Sequence, residues 1–175
     1  MKRMLCLILV LVFLLLSGCH YSESGDILEP VEFFYPRKST GFIYGSDNGV
    51  ITSEVREGAG HISDLNYLIT MYLYGPQDDD LRSPFPVGCT LKGIRSEGDT
   101  LYIRLNETFT TIEGTELTLA CAALAKTCLS MTDFTNICID ARSDEKTVSM
   151  TLDAESVLFA DQTALEETVA TENPQ

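Results

Sequence analysis

The chain begins with a segment that no compact domain can fold around. Met4 to Leu16 is a run of thirteen consecutive apolar residues, preceded by Lys2 and Arg3 and followed by Ser17-Gly18-Cys19. A membrane-spanning helix needs roughly 20 apolar residues, so this run is too short to cross a bilayer comfortably and has the length of a secretory signal. Folding is therefore expected to begin downstream. The first eighteen residues hold only two charges, Lys2 and Arg3, so residues 19–175 keep ten basic residues against 26 acidic ones, a formal charge of −16 within a whole-chain charge of −14. A surface so acidic repels nucleic acid and anionic lipid headgroups. Nucleic-acid binding is excluded on that ground, and any membrane attachment must come from something other than a basic patch.

Leu16-Ser17-Gly18-Cys19 supplies the attachment. It resembles the bacterial lipobox, in which small residues precede an obligatory cysteine. The resemblance implies that the thiol of Cys19 takes a diacylglycerol and that cleavage before it makes Cys19 the first residue of the mature protein. A thiolate is the side-chain nucleophile suited to that acylation. Each buried methylene adds about 0.8 kcal/mol, and two chains give stable anchoring. The expected location is the extracytoplasmic face of the cell membrane. Residues 19–30, "CHYSESGDILEP", form a polar tether of at most about 40 Å when fully extended.

From residue 31 the pattern is mixed. Val31 to Tyr35 reads as a strand stopped by Pro36, and Phe42 to Tyr44 with Val50 to Arg56 as a hairpin turning at "GSDNG". Leu65, Leu68, Ile69, Tyr72 and Leu73 place one apolar face on a helix from Ser63 to Tyr74, capped by Ser63 or Asp64 and ended by Gly75-Pro76. A proline-rich crossover, "QDDDLRSPFPVG", leads to a hairpin, Leu91 to Arg95 and Thr100 to Leu105. A second helix over Thr115 to Met131 has a stripe of Leu117, Cys121, Leu124, Cys128 and Met131. Phe134 to Asp140 and Thr147 to Leu152 close the pattern as a strand pair, and residues 153–175 form an acidic tail whose Ser156 to Ala160 portion is apolar enough to pack. The expected fold is α/β of the α+β kind: a mostly antiparallel sheet with two helices packed on one face.

The middle of the chain carries a recognisable order. Gly75-Pro76 closes a helix. Leu81, Ser83, Pro86, Gly88, Thr90 and Leu91 follow in "LRSPFPVGCTL", then the strand "LYIRLNETF" and a helix reaching "KTCLSMTDFTNICID". Over residues 31–152 this resembles the GerMN domain of sporulation and spore-germination lipoproteins. Arg104, Leu105 and Asn106 stand where that family often has Asp before Leu-Ser. The resemblance implies a non-enzymatic interaction domain acting in sporulation, germination or envelope assembly, with an envelope protein or a second copy as partner. It also implies a fold similar to ring-building modules. The alternative is a lipoprotein that captures a small molecule or a cell-wall fragment in a cleft beside the Gly75 to Gly88 crossover.

The residues themselves mark no catalytic, metal or cofactor site. His61 and Cys89 would make a dyad only with an orienting group that nothing in the sequence marks. Asp78, Asp79 and Asp80 are adjacent, whereas calcium loops alternate their ligands to wrap the ion. Cys89, Cys121, Cys128 and Cys138 permit three pairings. One fails on length: Cys121 and Cys128 lie about 10.5 Å apart along a helix, and a disulfide needs Cα atoms within about 7 Å. Buried free thiols are the favoured reading.

Overall fold

The computed structural model describes residues 29–38, 50–158 and 160–161. The signal segment, Cys19, most of the tether, the Phe42–Tyr44 arm and the end of the acidic tail lie outside the described residues.

Among the described residues, six strands and two long helices make a mixed α/β fold. The strands are β1 (Pro30–Pro36), β2 (Ile51–Glu57), β3 (Leu91–Glu97), β4 (Thr100–Leu105), β5 (Asn136–Arg142) and β6 (Thr147–Leu152). The helices are α1 (Leu65–Leu73) and α2 (Gly114–Met131), with a 3-10 turn at Glu107–Thr111. β3-β4-β5-β6 form one sheet, antiparallel except for the parallel β4–β5 pair, and β1–β2 form a separate antiparallel ribbon. The division into two sheets refines the expected single sheet. β4 and β5 are parallel because α2 carries the chain from one to the other, as a parallel pair requires.

Period-two alternation sets the two faces of the larger sheet. Leu101, Ile103 and Leu105 of β4 and Ile137, Ile139 and Ala141 of β5 point into the core. Tyr102, Arg104, Asp140 and Arg142 take the opposite face. Both helices lie against the core face, α1 along β3 and α2 across β5 and β6. α1 starts where Asp64 accepts from the backbone N–H of Tyr67 at 3.1 Å, and it buries Leu68, Ile69 and Tyr72.

α2 is buried on more than the one stripe its sequence suggests. Ala120, Cys121, Leu124 and Cys128 join the main core, while Leu119, Ala122 and Ala123 pack with Val50, Ile51 and Ala160 in a second cluster. The run of alanines admits this second contact. The helical residues 154–158 and 160–161 complete it: the buried Asp161 carboxylate accepts from the Ile51 backbone N–H at 2.8 Å and lies 3.8 Å from Lys126 Nζ.

The outer edge of β1 is closed by side chains, which explains why the ribbon stops there. The Phe34 backbone N–H donates to Thr127 Oγ1 of α2 at 2.9 Å, and its carbonyl accepts from the Tyr72 hydroxyl of α1 at 2.8 Å. Further along the same edge, the Arg82 backbone N–H donates to the Pro36 carbonyl and that of Lys38 to the Asp80 carbonyl, both at 2.9 Å. An edge that would otherwise invite pairing is thus occupied. Thr127→Val keeps the shape and removes the acceptor, leaving the N–H of the half-buried Phe34 unpaired. It is expected to lower stability by about 1–3 kcal/mol in urea denaturation, whereas Thr70→Val on the exposed side of α1 is expected to change it far less.

Candidate functional site

Two regions carry the polar groups that packing does not consume: the crossover from Gly75 to Gly88 and the outward face of the four-stranded sheet.

The crossover begins where α1 must stop. Gly75 adopts φ +98°, a left-handed conformation that glycine takes without penalty, and its N–H donates to the Tyr72 carbonyl at 3.0 Å. The Gly75 carbonyl is then caught by Arg56 Nη2 at 2.6 Å. Arg56 reaches it from β2 as a buried cation, and the same guanidinium donates to the Tyr35 hydroxyl at 3.2 Å and lies 5.0 Å from the centre of the Phe33 ring. Glu54, two residues earlier on the same face of β2, pairs with Arg56. Its carboxylate also accepts from the backbone N–H of Gln77 at 3.0 Å and of Asp78 at 2.9 Å. One ion pair therefore holds both the end of α1 and the first residues of the crossover.

Apolar anchors hold the rest. Leu81 and Phe85 are buried, and Phe85 continues a line of rings: Tyr35 to Tyr72 at 4.6 Å, Tyr72 to Phe85 at 5.6 Å and Phe85 to Phe109 at 5.9 Å. Asn106 clasps the far end, accepting from the Thr90 N–H at 3.1 Å and donating to the Gly88 carbonyl at 2.8 Å. Between these anchors Val87 is fully exposed, and Tyr74 is 87% exposed.

Family comparison bears on this same segment. A family model described as Germane, sporulation and spore germination, matches residues 42–141. The chain belongs to the Germane family. The match runs from the residues before β2 through the crossover to β5, so it encloses the Glu54–Arg56 clamp and the Asn106 clasp. Germane membership gives the chain a role related to sporulation or germination. Comparisons with curated proteins and with solved structures found no match.

The other residues singled out in the sequence, His61, the Asp78–Asp80 run and the four cysteines from Cys89 to Cys138, are dispersed in the Germane domain. Cys19 lies outside the described residues. His61 stacks on Tyr67 at 4.1 Å, while Cys89 is buried with its thiol pushed up to about 12 by desolvation. Cys121 and Cys128 are likewise pushed up to about 12 by burial, and all four described cysteines are free and buried. The thiols of Cys89, Cys121 and Cys128 stay protonated, and all four cysteines act as small apolar groups. Asp78 accepts from the Asp80 N–H at 2.8 Å, and no cluster of three metal-ligating side chains occurs among the described residues. No helix among them is long and apolar enough to cross a membrane.

On the sheet face, Arg104 Nε donates to Asp140 Oδ2 at 2.8 Å, and the carboxylate holds the guanidinium pKa above its ordinary value. Arg95 lies over the Tyr102 ring at 3.5 Å. The alternation of "LYIRL" already places Tyr102 and Arg104 on one face. Nothing local in "SEVRE" reveals that Arg56 is buried while its neighbour Val55 is 58% exposed.

Removing one partner of a buried ion pair strands the other. Arg56→Met is therefore expected to lower stability by about 3–5 kcal/mol in urea denaturation. Arg95→Met, whose partner Glu97 is exposed, is expected to cost at most about 1 kcal/mol. Equal effects would show that the clamp carries no special share of stability.

Proposed function

We propose that the chain is a lipoprotein, anchored through acylated Cys19 on the extracytoplasmic face of the membrane, whose Germane domain acts by contact with an envelope protein or a second copy rather than by catalysis. The observation that carries this reading is the succession of Leu16-Ser17-Gly18-Cys19, a short polar tether and a Germane domain. Support comes also from how the polar groups are used. The clamp and the clasp fix backbone, which shapes a surface and requires no reacting group. Tyr74 and Val87 stand out on either end of that fixed crossover, as apolar groups suited to a protein partner.

Capture of a small molecule beside the crossover has less support. Leu81 and Phe85 fill its inner side, and the three clefts described in the domain are lined by other segments.

The anchor is tested by feeding labelled palmitate to cells and measuring the mass of the recovered protein. Wild type is expected to take up label and to lose residues 1–18, and Cys19→Ala to do neither. A Cys19→Ala chain that is labelled and shortened like wild type contradicts the anchor. Crosslinking in intact membranes is expected to join wild type to a protein through the crossover, with the yield falling for Val87→Asp. An unchanged yield contradicts the assigned contact surface.

A further inference from the structure

The outward face of the four-stranded sheet gathers basic residues that are scarce elsewhere. Of the ten Lys and Arg after residue 18, Lys92, Arg95, Arg104 and Arg142 line two adjoining clefts there. The larger cleft, of about 560 Å³, holds Lys92, Arg104 and Arg142 together with Asn106, Asp140 and Thr147, and with Glu107 at its rim.

Arg104 is the organised member. It stands opposite Asp140 in the β4–β5 register, and the carboxylate takes only its Nε–H. The two Nη groups make no hydrogen bond among the described residues, so the outer part of the guanidinium fork is oriented and unspent. Lys92 sits at the irregularity between Leu91 and Gly93, where a bulge re-aims a side chain, and it lines both clefts. Neither Lys92 nor Arg142 has a carboxylate partner among the described residues.

We propose that this cleft binds the carboxylate group of a ligand, with Arg104 as its bidentate donor and Lys92 and Arg142 as flanking cations. The charges argue for a monoanion. Three cations face two carboxylates, Asp140 and Glu107, so the cleft carries one net positive charge. A carboxylate neutralises it, whereas a phosphate monoester, at close to −2, would overshoot against two acidic neighbours. A planar guanidinium matches the two oxygens of a carboxylate. The smaller cleft runs past Arg95 and Tyr102, whose stacked planes offer a flat polar shelf for the chain bearing the carboxylate. The site does not depend on the anchor at Cys19 or on the contact surface at Val87.

The test is an NMR titration of the ¹⁵N-labelled full chain in non-ionic detergent, with the monoanion butyrate, neutral butyramide and inorganic phosphate as probes. Butyrate is expected to shift the amides of Lys92, Arg104, Asp140 and Arg142 saturably, with phosphate weaker and butyramide silent. Arg104→Gln is expected to weaken butyrate binding about tenfold or more, Arg104→Lys to retain part of it, and the distant Arg82→Gln to leave it unchanged. Because Arg104 is 66% exposed, these variants keep the fold, which the unshifted core amides verify. Absence of saturable shifts with butyrate, equal binding by Arg104→Gln, or tighter binding of phosphate than of butyrate each overturns the proposal.

Discussion

Arg56 is a cation inside a domain that has little room for one, and the arrangement around the Germane crossover depends on how its charge is met. Burying a guanidinium costs several kcal/mol unless its donors are used. Here they are used by the Glu54 carboxylate, the Tyr35 hydroxyl and the Gly75 carbonyl, with the Phe33 and Tyr35 rings beneath. Each partner comes from a different place: β2 itself, β1, and the residue that ends α1. The pair thus ties the ribbon to the helix, and through Glu54 it ties both to the backbone of Gln77 and Asp78. A helix ended by Gly-Pro could send the chain in many directions, and the clamp selects one.

What this fixed backbone presents is more informative than what it encloses. The inner side of the crossover is filled by Leu81 and Phe85, and burial holds the thiols of Cys89, Cys121 and Cys128 in the neutral form. The four described cysteines are absorbed into packing, and among the described residues two outer surfaces offer unspent groups. One is apolar, at Tyr74 and Val87; the other is the basic face around Arg104. Groups left free on rigid outer surfaces are what the proposed contact role requires.

Much of the fold was legible because its signals are local. The i, i+3, i+4 spacing from Leu65 to Leu73 marked α1, Gly75-Pro76 marked its end, and the alternation of Leu101, Ile103 and Leu105 marked both the strand and its inward face. The separation into two sheets was hidden, because it is set by the Thr127 and Tyr72 side chains meeting the Phe34 peptide, across 93 and 38 residues respectively. The second buried side of α2 was only hinted at by its alanines. In β2 the usual rule is inverted, with Arg56 inside and Val55 outside, and no local pattern reports a burial that is compensated by residues from other segments. Asn106 was legible only as a departure from the family pattern, and the structure gives it a task at Gly88 and Thr90. Cys19 rests on its own flanking residues in the sequence.

Native-state hydrogen exchange tests most directly whether the clamp makes the crossover a fixed part of the domain. The amides of Gln77 and Asp78 lie in a segment that is exposed by area, yet each is bonded to the Glu54 carboxylate. They are expected to exchange orders of magnitude more slowly than the Val87 amide and to respond to denaturant together with the β1–β2 amides, through the same opening. Exchange of Gln77 and Asp78 as fast as that of Val87, independent of the ribbon, would contradict the clamp's role.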